Sequence, residues 1–283
     1  MILKCKLIFS PLSSLNRLSL DAPLVCLVWQ IALANFMEAD LKLQHHLILG
    51  LSVWLCYSAD RFTELPLPEF SSAPRYEVFK AFPLGFKIFW STTLLFTVTL
   101  ACLSLSIECL LFSLPLLLFC LLNFKLCLYE MTSGRLSFLA KEVRTSAILS
   151  WGCMLFPMFE TSTNPHDTLV YFISLLLVFF ANCLYVSKWE RLLDFYRGRL
   201  TIIQKNPGFL NGLIKGNYLF LLISGGLWFI GDSPINFFTY VFWVLIFAMC
   251  LNLLSMENDK KRNAIDLGYW FVPLILLLIE HAG

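Results

Sequence analysis

Residues 43–64 read LQHHLILGLSVWLCYSADRFTE, an apolar run of bilayer-crossing length that ends in Asp60-Arg61-Phe62-Thr63-Glu64. In a continuing helix the two carboxylates of this acid-Arg-x-x-acid segment sit one turn apart on the same face. A second copy, Glu190-Arg191-Leu192-Leu193-Asp194, closes the apolar run that begins near Thr168. One such segment is an ordinary interfacial charge cluster, since Arg and Glu are expected where a helix leaves the bilayer. Two of them point to binding. Carboxylates are costly at a membrane boundary, and oxygen ligands at this spacing suit a hard divalent cation holding a phosphorylated substrate.

Around these segments, 58% hydrophobic and 14% charged residues, with a mean hydropathy of +0.74, exclude a soluble domain. A hydrocarbon core about 30 Å thick takes about 20 apolar residues per helical crossing. Nine segments qualify in whole or with a polar end: Pro23–Glu38, Leu43–Asp60, Pro83–Leu103, Ile107–Phe124, Thr145–Phe159, Thr168–Lys188, Gly216–Ile230, Ile235–Met256 and Ala264–Ile279. The expected fold is all-α, a polytopic membrane protein with nine transmembrane helices around a central cavity opening to the cytoplasmic side. It forms a single domain over residues 1–283, in which 1–20 make an amphipathic segment lying on the inner surface. No small-residue cleavage site follows the basic start Met1 to Phe9.

The basic residues give an independent check on that count. With the N-terminus cytoplasmic, Lys4, Lys6 and Arg17 precede the first helix, and Arg61, Arg75, Lys80 and Lys87 follow the second. Lys125, Arg135, Lys141 and Arg144 lie between the fourth and fifth, and Lys188, Arg191, Arg197, Arg199, Lys205 and Lys215 follow the sixth. Lys260, Lys261 and Arg262 follow the eighth and are read as topology determinants; Lys42 alone falls outside. A missed helix would scatter the downstream charges onto both faces. Both acidic segments therefore face the cytoplasm and the C-terminus lies outside.

The net charge of +2 is what topology demands, so no nucleic-acid partner is inferred. The ten cysteines form no C-x-x-C pair, and those in apolar helices are read as small hydrophobes. His45 and His46 fall at the outer end of the second helix, opposite the candidate site. Asn182 and Asn252, in helix interiors, face the cavity or bond across helices. Phe is abundant, 27 residues, which suits a lipid-binding cavity and lipid-facing packing equally. No G-x-G-x-x-G, Walker loop, H-E-x-x-H, G-x-S-x-G or D-G-x-x-A-R motif occurs.

Two acidic segments at the cytoplasmic ends of the second and sixth of nine helices resemble the UbiA-type superfamily of intramembrane prenyltransferases. The first motif of that family commonly reads N-D-x-x-D-R-x-x-D, where this chain has Cys56-Tyr57-Ser58-Ala59-Asp60-Arg61-Phe62-Thr63-Glu64. The second, often D-x-x-x-D behind a tyrosine and basic or polar residues, is matched by Tyr185, Lys188, Glu190 and Asp194. Lys141-Glu142-Val143-Arg144-Thr145 and Pro157 are similar to the family's basic segment and proline around the fifth helix. Cys56 and Tyr57 replace an amide and a carboxylate, so the first motif has fewer hard ligands than a typical member, and a thiol prefers softer metals.

The resemblance implies a prenyltransferase acting in a bacterial inner membrane, with an isoprenyl diphosphate as donor and a lipophilic or aromatic acceptor, among membrane lipid. Asp60, Glu64, Glu190 and Asp194 would be the catalytic, metal-holding set for Mg2+. Lys141, Arg144, Lys188 and Arg75 would bind the diphosphate and stabilise charge developing on the leaving group. Arg61 and Arg191 would set the rotamers of the neighbouring acids, with Cys56, Tyr57 and Tyr185 beside them. Two other readings stay open. One is a UbiA-like lipid-binding protein that has lost chemistry, for which Cys56 and Tyr57 argue. The other is a small transporter, for which Pro115 and Gly225-Gly226 are the only helix-breaking hints.

Overall fold

The computed structural model describes residues 16–64, 77–133, 139–161, 164–190 and 237–282, together with part of 212–226. The described residues form helices and no strand. Eight long helices are α1 (Asp21–Phe36), α2 (Leu43–Glu64), α3 (Pro83–Ser104), α4 (Ile107–Ser133), α5 (Lys141–Glu160), α6 (Pro165–Trp189), α7 (Phe237–Leu253) and α8 (Asn258–Ala282), with a one-turn helix Glu77–Ala81 before α3. Four stretches are long and apolar enough to cross a membrane: Pro83–Ser104, Ile107–Glu130, Pro165–Trp189 and Lys260–Glu280. α1 and α7 are shorter apolar helices. The expected span Gly216–Ile230 falls largely outside the described residues.

Local sequence explains most of the ends. Pro83 and Pro165 open α3 and α6, where a missing N–H costs nothing. The Asn164 side chain accepts from the His166 amide at 3.1 Å and caps α6. α5 begins four residues earlier than the hydropathy of Thr145–Phe159 predicts, because Arg144 is neutralised by Glu130 and Glu142 accepts from Ser187 inside the protein, as described below. α4 runs well past Phe124 for the same reason: Glu130 lies in its last turns, opposite Arg144.

Packing centres on α1, which touches α2, α5, α7 and α8, while α6 touches α5, α7 and α8. Trp29 of α1 is fully buried and meets the rings of Phe179 on α6 and Phe237 on α7 edge-on, at 6.4 and 6.1 Å. α3 packs on α2 and α4 on α5. Both otherwise expose large apolar side chains such as Ile88, Leu95, Leu118 and Leu121, as expected of surface that meets lipid rather than water.

Contacts at the helix ends fix the directions. Arg61 at the end of α2 meets Asp21 at the start of α1, while His46 near the start of α2 lies 2.7 Å from Gln30, in the second half of α1. Those two helices are antiparallel. Asn252 with Lys188, and Phe237 with Tyr171, set α7 parallel to α6; Tyr240 donating to Glu280 at 2.9 Å sets α8 antiparallel to α7.

Among the described glycines, Gly268 makes the closest helix–helix approach. A Cβ there would stand 2.0 Å from Phe247 Cε1 and 2.1 Å from Cδ1, so α8 can lie against α7 only without a side chain. Gly268→Ala is expected to lose about 1–3 kcal/mol through overpacking, measured by denaturant unfolding in detergent. Gly85→Ala, where the nearest outside atom is Phe82 Cβ at 3.9 Å, is the control and should unfold like the parent.

Candidate functional site

The polar and charged side chains at one end of the bundle come from the C-terminal ends of α2, α4, α6 and α7 and the N-terminal ends of α1, α5 and α8. They fall into three neighbouring groups.

The first lies between α2, α4 and α5. Half-buried Asp60 is within electrostatic range of Cys56 on its own helix and of Cys127 on α4. Lys141 is within range of the same Cys127, so the structure brings these two expected residues toward one thiol. Arg144, the other cation of that segment, is 1% exposed. Its Nη1 and Nη2 donate to the two carboxylate oxygens of Glu130 at 2.9 and 3.0 Å, and its Nε donates to Asn123 Oδ1 at 2.8 Å. Nη1 also donates to the Leu139 carbonyl, and Nη2 approaches Cys127 Sγ at 3.6 Å. This is a two-pronged pair inside the protein, not a guanidinium presented to solvent.

The second group joins α6, α7 and α8. Glu190 is paired with Arg262, Nε to Oε1 at 2.8 Å, by charge rather than by an aligned hydrogen bond. Lys188 donates to Asn252 Oδ1 at 2.7 Å, and Lys261 donates to the Asn252 carbonyl at 3.3 Å. Arg262, expected only to set topology, is thus a direct partner of the second acidic segment. Tyr185 is buried in the core and stacks on Trp189, centroids 5.8 Å apart.

The third group joins the end of α2 to the start of α1 and includes side chains of α2, α6 and α8 one or two turns deeper. Arg61 donates to the Asn16 carbonyl and lies 3.7 Å from Asp21, whose Oδ2 accepts from Asn16 Nδ2 at 2.7 Å. Asn182 of α6 reaches Asp266 of α8 at 3.5 Å. Asp266 is within electrostatic range of Asp21, Arg262 and Arg61, and Tyr57 is within range of Asp266, Asp21, Cys183 and Arg61. Ser187 donates to Glu142 at 3.0 Å, tying α6 to α5. Asp266, Asp21 and Glu142 escaped the motif-based reading. The signal was present for Asp266, a charge set inside an apolar helix.

Of the remaining expected residues, Glu64 ends α2 but its side chain lies outside the described set, and Arg75, Arg191 and Asp194 lie outside the described residues altogether. Among the described residues, no three His, Cys, Asp or Glu side chains gather as a metal site. At the opposite end, His45 is buried, stacks on Phe156 at 4.9 Å and lies 3.8 Å from Glu160. That pair belongs to packing between α2 and α5. No family model, curated protein or solved structure matches the chain.

The Glu130 and Arg144 pair gives a stability test. Removing one partner strands a buried charge, so Glu130→Ala and Arg144→Ala are each expected to lose about 3–5 kcal/mol. The double variant should lose much less than the sum. Strictly additive losses in denaturant unfolding would show that the two side chains do not act as a pair.

Proposed function

We propose that this chain is a UbiA-like prenyltransferase, with nine crossings around a cavity that opens at the polar end. The observation that carries the proposal is that both acidic segments lie near one charged cluster: Glu190 pairs with Arg262, and Asp266 is within electrostatic range of both Arg262 and Arg61, the neighbour of Asp60. Side chains of both segments thus border one polar region. The basic residues at this end support a cytoplasmic orientation, N-terminus inside and C-terminus outside, and a bacterial inner membrane is the proposed setting.

In this reading an isoprenyl diphosphate lies with its chain among the apolar helices and its head at the polar end. Asp60 and Glu190 would hold magnesium that arrives with the diphosphate, because this ion needs only one or two carboxylates when phosphate oxygens and water complete its shell. Bound there, magnesium would neutralise charge on the departing diphosphate. Lys141, within electrostatic range of the same Cys127 as Asp60, would stabilise that charge more in the transition state than in the ground state. Closely packed apolar walls keep water from the allylic cation. Arg61 orients its helix end through Asp21 and Asn16.

One observation favours the lipid-binding alternative. Arg144 and Lys188, both expected on the diphosphate, are engaged by Glu130 and Asn252. Purified protein with radiolabelled farnesyl and geranylgeranyl diphosphates separates the two. The enzyme reading expects magnesium-dependent diphosphate release that falls roughly 100-fold in Asp60→Asn, with Asp194→Asn behaving alike. Prenyl lipid binding without release, indifferent to magnesium and to both substitutions, supports a carrier instead.

A further inference from the structure

Two pairs of cysteines face each other across helices. Cys26 of α1 and Cys153 of α5 are hydrogen-bonded through their thiols, and Cys153 Sγ also approaches the Cys26 carbonyl at 3.5 Å. Both are sealed in the core, 1% and 0% exposed. Cys56 of α2 and Cys120 of α4 are likewise bonded thiol to thiol, but Cys56 is exposed and Cys120 half-buried. Burial protects the first pair from any oxidant, and the second pair can meet one.

The surroundings select what this pair can do. Cys127, two turns further along α4 on the same face as Cys120, is buried and lies 3.6 Å from Arg144 Nη2 and 3.9 Å from Asn123 Oδ1. Cys120 is therefore the α4 thiol that Cys56 meets. Among the described residues no three His, Cys, Asp or Glu side chains gather, so the pair has no further ligands to close a thiolate metal site. Two facing thiols need only each other to form a disulfide. At a face bathed by cytoplasm, as proposed above, glutathione keeps thiols reduced, and the disulfides that do form are transient and redox-sensing. Asp60 stands one turn after Cys56 on the same face of α2 and within electrostatic range of it.

We propose that Cys56 and Cys120 are a reversible redox crosslink between α2 and α4, oxidised by hydrogen peroxide, which displaces the Asp60 end of α2 when it closes. The exposed Cys56 sulfur takes one oxygen as the peroxide O–O bond breaks, giving a sulfenic acid and one water. The Cys120 sulfur then attacks that of Cys56. The S–S bond forms as the S–O bond breaks, and the oxygen leaves with the remaining thiol proton as a second water. Two thiols are oxidised and one peroxide is reduced. In the disulfide the sulfurs stand about 2 Å apart, closer than hydrogen-bonded thiols, so α2 shifts toward α4 and carries Asp60 with it. The bond is independent of the prenyl-transfer reading, whereas its effect on the site rests on that reading.

The test treats the full-length protein in nanodiscs with hydrogen peroxide, blocks the remaining thiols with N-ethylmaleimide and maps the cysteines by mass spectrometry of the digest. A peptide linking Cys56 to Cys120, lost on treatment with dithiothreitol, is expected. Cys102→Ser, at another exposed thiol, should leave the link intact. Cys120→Ser should abolish it and leave a sulfenic acid on Cys56 that dimedone traps. Maleimide on both Cys56 and Cys120 after peroxide overturns the proposal, as does a link from Cys56 to any other cysteine. In the same samples, magnesium-dependent diphosphate release from geranylgeranyl diphosphate should fall at least about tenfold on oxidation, the scale of a small misplacement of a catalytic group. It should recover with dithiothreitol and stay at the reduced rate in peroxide-treated Cys120→Ser. A complete link with unchanged release overturns the displacement of Asp60. Reduced protein that releases no diphosphate overturns the prenyl-transfer reading and leaves the crosslink to stand or fall on the peptide map.

Discussion

Charges inside a low-dielectric bundle need a partner, and in this protein the partner sits on a different helix at nearly every position. Asp21 and Arg61 join α1 to α2, Glu130 and Arg144 join α4 to α5, Glu142 and Ser187 join α5 to α6, and Glu190 and Arg262 join α6 to α8. Between helices in lipid there is little hydrophobic force, because hydrocarbon tails are as apolar as leucine. Packing of apolar faces therefore leaves a helix free to slide by a turn at small cost. A slide by one turn would separate these ion pairs and this hydrogen bond, so the polar end fixes the vertical register that the apolar contacts leave loose.

The two ends of the bundle differ in how they use this device. At the opposite end the polar contacts among the described residues are fewer: His46 with Gln30, His45 with Glu160, Tyr240 with Glu280, and Thr161 donating to the Met37 carbonyl. Their partners close the ends of neighbouring helices and leave aromatic packing around Trp29 to hold the middle. At the other end seven helices converge. Polar side chains there are placed by that convergence, which is why the candidate chemistry belongs to one face of the molecule.

Much of this organisation was legible in the chain because hydropathy and charge act locally. Apolar runs predicted α2, α3 and α6 to within a few residues, and Asn182 and Asn252 proved to bond across helices as one of two readings had it. What stayed hidden was pairing. Hydropathy shortens α4 and α5 at Phe124 and Thr145, because it prices Glu130 and Arg144 as isolated charges, whereas each removes the other's cost. Arg262 reads as a topology determinant for the same reason. Its partner Glu190 is 72 positions away in sequence, and no periodicity links α6 to α8.

Pairing also bears on how such a site would handle an anion. Arg61, Arg144, Lys188 and Arg262 each already have a partner within the protein. To turn any of them toward a diphosphate would leave a carboxylate or amide unmatched in a medium where that is costly. Under the prenyl-transfer reading, the negative charge of the substrate is therefore balanced mainly by cations that enter with it, held by the carboxylate of Asp60 and, only as its pair with Arg262 opens, by that of Glu190. The acidic helix ends and the self-neutralised cations beside them then have complementary tasks. One set receives metal with its substrate, and the other keeps the bundle closed while the site is empty.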